Sequence, residues 1–192
     1  MAVASTMLPL GTPIPPFSLP DAVSGRIVKS TDFSGKPLVV MFICQHCPYV
    51  RHVKDELARL GQDYANQKIA IVAISSNDVM KYPDDSPAHL KMMAEELKLN
   101  YPVCYDETQE VAKAYRAACT PEFYLFNSSG SLVYRGQLDD SRPKNGLPVT
   151  GKDLRAAIER TLAGLPVSGE QKPGIGCNIK WKAGNEPDYF VN

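Results

Sequence analysis

The stretch Pro37-Leu38-Val39-Val40-Met41-Phe42-Ile43, followed at once by Cys44-Gln45-His46-Cys47-Pro48, decides how this chain folds. An unbroken apolar run rich in β-branched residues belongs to a strand buried on both faces of a sheet. Beyond Pro48, the apolar positions Val50, Val53, Leu57, Leu60 and Tyr64 recur at spacings of three and four. That pattern predicts a helix ending near Gln67, with Pro48 in its first turn. Two thiols therefore stand at a strand-to-helix turn, where they can close a small reversible disulfide. The N–H groups free at the helix start, and the positive end of its dipole, stabilise a thiolate there. Spacing alone is a weak signal, because five scattered cysteines give a C-x-x-C in roughly one such chain in ten. The strand-to-helix setting is what makes the pair a redox site in outline.

Reading outward, residues 68–76 form a second buried-type strand, and a strand-helix-strand order of this length implies a right-handed parallel crossover. A loop with Pro83, Asp84, Asp85 and Pro87 leads to a helix predicted over Ser86 to Leu99, then a short strand from Tyr101 to Asp106. Thr108 is placed to cap a helix running to Ala118, which Thr120-Pro121 stops. Phe123 to Phe126 and Leu132 to Gly136, around the turn Asn127-Ser128-Ser129-Gly130, read as an antiparallel hairpin. A last helix is predicted from Thr150 to Ala163. The Pro-rich residues 1–16 read as an extended lead-in, followed by short strands near Phe17 and Ile27 about a Gly turn. The order gives an α/β fold with a central mixed sheet and helices on both faces. One domain spanning 1–192 is expected, with a core of about residues 8–165 and an irregular tail, 166–192, anchored by aromatic residues.

Of 192 residues 44% are hydrophobic, enough for one substantial core. Lys+Arg and Asp+Glu both number 21, so the chain has no basic field to gather nucleic acid or an anionic membrane. It has no membrane-spanning run. The first ten residues lack Lys and Arg, and Pro9, Pro13, Pro15 and Pro16 would break a signal-peptide helix. Together with an odd count of five cysteines, this makes a reducing, cytoplasmic setting the expectation.

Several blocks taken together resemble the thioredoxin superfamily, and most closely its peroxiredoxin-like branch of alkyl hydroperoxide reductases and thiol-specific antioxidants. They are Phe42-Ile43-Cys44-Gln45-His46-Cys47-Pro48-Tyr49-Val50, Ala118-Cys119-Thr120-Pro121-Glu122-Phe123, Asp139-Asp140-Ser141-Arg142-Pro143, Val149 to Arg155, and Gly176-Cys177-Asn178-Ile179-Lys180-Trp181. The resemblance covers about residues 8–182 and implies a thioredoxin-like fold. It also implies that Thr120-Pro121 is a cis-proline element facing the cysteines, excluding metal and offering backbone groups to a substrate polypeptide. Cys44 would then attack and Cys47, tucked into the helix start, would resolve the mixed disulfide. His46 is placed to add positive charge or a donor beside the Cys44 thiolate. The chain departs from true peroxiredoxins in two places. Cys47 falls in the peroxidatic position, but Cys44 stands where a Thr or Ser hydroxyl belongs, and a proline stands near the family's strand-entrance Arg.

The remaining chemistry-bearing residues read more plainly. Arg51 lies within helical reach of Cys47 but reads as a solvated side chain, and His52 and His89 read as surface residues. Cys104 reads as strand core, Cys119 as close enough to approach the pair, and Cys177 as a further thiol that either joins the chemistry or stays idle. The leading expectation is a thiol-disulfide oxidoreductase using Cys44 and Cys47 on protein or low-molecular-weight disulfides, with a thiol reductant and no cofactor. The alternative is a thiol peroxidase in which Cys47 becomes a sulfenic acid and Cys44 condenses with it. Metal binding of the copper-delivery kind is disfavoured by the cysteine spacing and by the lack of a His after His89. A redox-dead scaffold recognising a partner through the tail or the Asp139-Asp140 loop is disfavoured by the intact C-x-x-C.

Overall fold

The computed structural model describes residues 1–190. The apolar run that opens the sequence argument is strand β4 (Leu38–Phe42), following β1 (Ala2–Ala4), β2 (Ser18–Pro20) and β3 (Ile27–Lys29). Helix α1 (Pro48–Tyr64) carries the chain to β5 (Ala70–Ser75), which pairs parallel with β4. Helix α2 (Pro87–Glu96) then leads to β6 (Val103–Tyr105), parallel to β5. After α3 (Glu110–Ala114) and the two-residue β7 (Cys119–Thr120), the hairpin β8 (Glu122–Phe126) and β9 (Leu132–Gly136) joins antiparallel at the other side of β4. The central sheet has the order β6-β5-β4-β8-β9, the thioredoxin-like arrangement. Helix α4 (Lys152–Leu162) and strand β10 (Ile175–Asn178) complete the order.

The two-residue period of the strands divides the core into two layers. Val39, Met41 and Ile43 point to the face covered by Val50, Val53, Leu57 and Leu60 of α1, with α2 and α4 beside them. Leu38, Val40 and Phe42 point to the opposite face, against Tyr115, Tyr124, Phe126 and Trp181. Every residue of β4 is buried, as its continuous apolar character requires. The central strand thus has no solvent face, and burial continues past its C-terminal end through Ile43 to Cys44.

Two helices are shorter than their periodicity predicts. The helix expected over 108–118 spans Glu110–Ala114, capped by Gln109 and not Thr108. The helix expected over 86–99 spans Pro87–Glu96. Both stop at a left-handed residue, Arg116 (φ 50°) and Lys98 (φ 52°). In each case a following N–H reaches back five residues, Ala117 to the Ala112 carbonyl and Leu99 to that of Ala94. This terminating turn usually takes glycine, so its signal is missing from the sequence. The tail also holds a strand the sequence did not suggest, β10, which lies between β1 and β7 in a second, antiparallel three-stranded sheet. The extended lead-in is therefore tied to the tail by strand pairing. Among the described residues no helix is long and apolar enough to cross a membrane.

Candidate active site

Cys44 follows the last residues of β4, and Cys47 is the N-cap of α1, with Pro48 as its first helical residue. Pro48 lacks an N–H that the helix start would in any case leave unpaired. Both cysteines are buried, 1% and 0% exposed, so exposure does not distinguish the attacking sulphur from the resolving one. The half-buried His46 between them and the exposed Pro48 mark the way in.

Thr120 faces both sulphurs. Its Oγ1 lies 3.3 Å from Cys44 Sγ, and its carbonyl accepts the Cys47 thiol at 3.2 Å. The Thr120-Pro121 peptide is cis, as the resemblance implied. On the other flank stands a residue that the sequence reading left in a loop, Asp85, fully buried after the turn that follows β5. Its Oδ1 accepts the backbone N–H of Gln45 at 2.8 Å and of His46 at 3.1 Å. Its Oδ2 meets His46 Nδ1 at 2.5 Å and accepts from Asn77 Nδ2 at 2.7 Å. Asn77 in turn accepts the Lys180 backbone N–H, tying the turn to the tail. Burial alone would raise the Asp85 pKa, but the donors from His46 and Asn77 outweigh it and hold the carboxyl below its ordinary value. Two Asp residues among prolines, at 84 and 85, were the sole hint of this role.

The thiols are unequal. Cys47 is held far below the ordinary thiol range by S–H donors from Cys177 and Cys44, which outweigh its burial, with further help from Thr120 and the Val50 N–H at the helix start. Cys44 is raised, because it shares its proton with Cys47, is buried, and feels the charge of Asp85. Cys177 is raised for the same first reason, its hydrogen bond to Cys47. The site holds a favoured thiolate on Cys47, with a thiol on either side of it.

Other residues fall elsewhere. Cys104 is strand core, as expected. Cys119 turns to Glu122, whose buried carboxyl accepts the N–H groups of Ala118 and Cys119 and the Tyr124 hydroxyl. Burial pushes Glu122 up to about 7. Arg51 is exposed and donates to the Gln45 carbonyl at 3.0 Å, bracing the turn. His52 is half-buried, not on the open surface, with Nε2 2.7 Å from Ser141 Oγ. It helps line a cleft beside the cis proline, together with Tyr49, Pro121, Arg142, Pro143 and Ile175. Asp139 is buried and bound to the N–H groups of Ser141, Thr150 and Gly151, so it braces its own loop and presents no carboxylate to a partner. Among the described residues one group has donor atoms close enough for a metal ion, Cys44, His46 and Asp85, all within 4.8 Å of one another. Both Asp85 oxygens already accept two N–H donors each, so ligation there would dismantle the turn.

The AhpC/TSA family model matches residues 10–135. No curated protein matches the sequence. Among solved structures, an uncharacterized conserved protein from Geobacillus kaustophilus is 56% identical, with a TM-score of 0.93 over 95% of this chain and 97% of that one. A hypothetical protein from Sinorhizobium meliloti 1021 is 44% identical, with a TM-score of 0.92 over 94% of this chain and 99% of that one. A thiol:disulfide interchange protein of the thioredoxin family from Chlorobium tepidum TLS shares the fold at 19% identity and a TM-score of 0.62, over 81% of this chain and 99% of that one.

Proposed function

This chain belongs to the AhpC/TSA family and is a redox enzyme of thioredoxin-like fold, and on that premise we propose that it is a thiol-disulfide oxidoreductase working through Cys44 and Cys47. The observation that carries the reading is Thr120, whose hydroxyl lies 3.3 Å from Cys44 Sγ and whose carbonyl oxygen lies 3.2 Å from Cys47 Sγ, so that both sulphurs meet one residue at the start of α1. Two sulphurs so placed can pass between dithiol and disulfide with little movement of the chain around them.

In the reduced site Cys44 attacks a substrate disulfide, R–S–S–R′, its proton passing to the departing sulphur, so that a mixed disulfide Cys44–S–S–R forms and R′SH leaves. The Cys47 thiolate then attacks Cys44 Sγ and expels RS⁻. Two substrate sulphurs are reduced and one protein disulfide is formed, so electrons and protons balance. An external thiol restores the dithiol, and five free cysteines suit the reducing, cytoplasmic setting in which such a donor is plentiful.

Turnover of insulin disulfides with a dithiol donor tests this. Cys44→Ser should lose at least about a hundredfold in rate, as expected for a covalent nucleophile, and undiminished turnover would refute the proposal. The low pKa of Cys47 favours a second reading, peroxide reduction at that sulphur. Rapid-mixing oxidation with hydrogen peroxide separates the two: a fast second-order loss of the Cys47 thiolate that survives in Cys44→Ser selects the peroxidase.

A further inference from the structure

We propose that Cys177 is a third member of the redox site, forming a second disulfide with Cys47 that releases Cys44 and hands the oxidising equivalent to the β10 side of the molecule. The inference rests on the reading of Cys44 and Cys47 as an exchanging pair. It starts from strand parity. In the β7–β10 ladder Thr120 stands opposite Cys177, and Cys119 stands opposite Asn178. Residues directly opposite in an antiparallel pair point to the same face of the sheet. Thr120 points at Cys44 Sγ, so Cys177 is on the dithiol side, and Cys119 is turned away to Glu122.

Packing agrees with parity. Helix α1 lies against β10, and the Cys177 side chain packs on the buried layer that contains Cys44 and Cys47. Gly176 brings the strands together: a Cβ there would stand 2.0 Å from the Thr120 carbonyl oxygen, the oxygen that accepts the Cys47 thiol. The Cys47 and Cys177 thiols perturb one another, the Cys47 pKa being lowered and that of Cys177 raised, as neighbouring sulphurs do. Cys47 is thus central, with one thiol on each side, and Cys177 is half-exposed while both other sulphurs are buried. A soluble thiol has readier access to Cys177 than to either of them.

The exchange is a displacement without net redox change. The Cys177 thiolate attacks Cys47 Sγ in the Cys44–Cys47 disulfide, the Cys47–Cys177 bond forms, and Cys44 leaves as a thiolate that takes the proton Cys177 gave up. An external thiol reductant, R″SH, then attacks Cys177 Sγ as its thiolate and expels the Cys47 thiolate. A second R″SH resolves the Cys177 mixed disulfide, giving R″–S–S–R″ and the trithiol site. Substrate and reductant so meet different sulphurs on different faces.

The test uses the full chain, glutathione disulfide as the oxidant, acid quenching, alkylation and tryptic mapping. Cleavage after Lys29 and Arg51 releases Cys44 and Cys47 on one peptide, since the Lys36-Pro37 bond resists trypsin, and Cys177 is released on another, so a Cys47–Cys177 bond appears as a crosslink between two peptides. The crosslink is expected in the wild type, enriched about fivefold or more in Cys44→Ser, where its competitor is gone, and missing in Cys47→Ser. In Cys177→Ala the rate of recycling with external thiol should fall about tenfold further than the rate of the first turnover of substrate. A wild type and a Cys44→Ser variant that both give glutathione adducts without the crosslink would overturn the proposal. A wild type that forms the crosslink but no Cys44–Cys47 disulfide would instead overturn the reading of the dithiol pair and leave Cys47–Cys177 as the working couple.

Discussion

Replacing Asp85 by Asn tests whether one buried carboxylate holds the Cys44–Cys47 turn. The carboxylate accepts four N–H donors, two at each oxygen. In Asp85→Asn the remaining carbonyl oxygen can keep the Gln45 and His46 backbone donors, as neutral hydrogen bonds. The new amide nitrogen, however, faces Asn77 Nδ2, a donor against a donor, and Asn77 cannot turn without giving up the Lys180 N–H on its oxygen. His46 can adapt by presenting the other tautomer. One buried donor left unpaired costs about 1–3 kcal/mol, and a hydrogen bond to a charged group exceeds a neutral one by about 1 kcal/mol. A loss of about 2–4 kcal/mol at pH 7 follows. The pH dependence has a definite sign. The folded Asp85 pKa lies below the unfolded value, so its contribution is complete above about pH 4 and is lost as pH falls through the folded pKa. Urea unfolding of both reduced proteins at pH 7 and pH 3 reads this directly. A difference under about 0.5 kcal/mol at pH 7, or one that persists unchanged at pH 3, would refute the reasoning.

Glu122 carries the opposite sign. Raised to about 7 when folded, it makes the native protein lose stability as pH climbs from its unfolded value near 4.5. Between pH 4.5 and 8, Glu122→Gln should therefore gain about 3 kcal/mol relative to wild type in denaturant titrations, and parallel curves would count against the shifted carboxyl. Arg155 pairs with the buried Glu56, which Arg59 also contacts from the surface. Arg155→Ala leaves the buried Glu56 with only the surface Arg59 as partner and should cost about 2 kcal/mol, and Arg59→Ala under about 1 kcal/mol; equal melting temperatures for the two variants would contradict this. Gly176→Ala must push β10 away from the Thr120 carbonyl. It should destabilise by about 1–3 kcal/mol and abolish the Cys47–Cys177 crosslink in peptide maps while the Cys44–Cys47 bond still closes.

What the sequence discloses is local. The β4 run, the helix that follows it, and the hairpin from Phe123 to Gly136 are each specified by residues within a few positions of one another, and their period survives folding. Thr120 and Pro121 were legible because the family pattern names their place opposite the cysteines. Asp85 was not, because its partners lie 39 and 40 positions away along the chain and nothing at residue 85 marks it. β10 was hidden for a different reason. Ile175-Gly176-Cys177-Asn178 has no apolar alternation, since Gly176 is required by a close approach to Thr120 and not by strand propensity. Arg116 and Lys98 end their helices in a conformation that other residues normally signal.

The inequality of the two active-site sulphurs follows from what stands beside each, and it sets the direction of attack. Asp85 places negative charge near Cys44, whereas the start of α1 and the Cys177 thiol stand near Cys47. A thiolate is therefore better tolerated on Cys47. In exchange, the sulphur that leaves most readily is the one with the lower pKa. An external thiolate approaching the Cys44–Cys47 disulfide is accordingly directed to Cys44, expelling Cys47 into the place prepared for its charge. The same logic governs the reverse reaction, in which Cys47 returns to attack Cys44 in a mixed disulfide. Cys44 can thus be the sulphur that exchanges with the outside although it carries the higher pKa, because its reactivity in both directions is set by the stability of the thiolate next to it. The internal exchange runs against this order, because Cys177 stands beside Cys47 and attacks that sulphur by placement, expelling Cys44. Once the Cys47–Cys177 bond has formed, an external thiolate again meets the outer sulphur, Cys177, and Cys47 is again the leaving group.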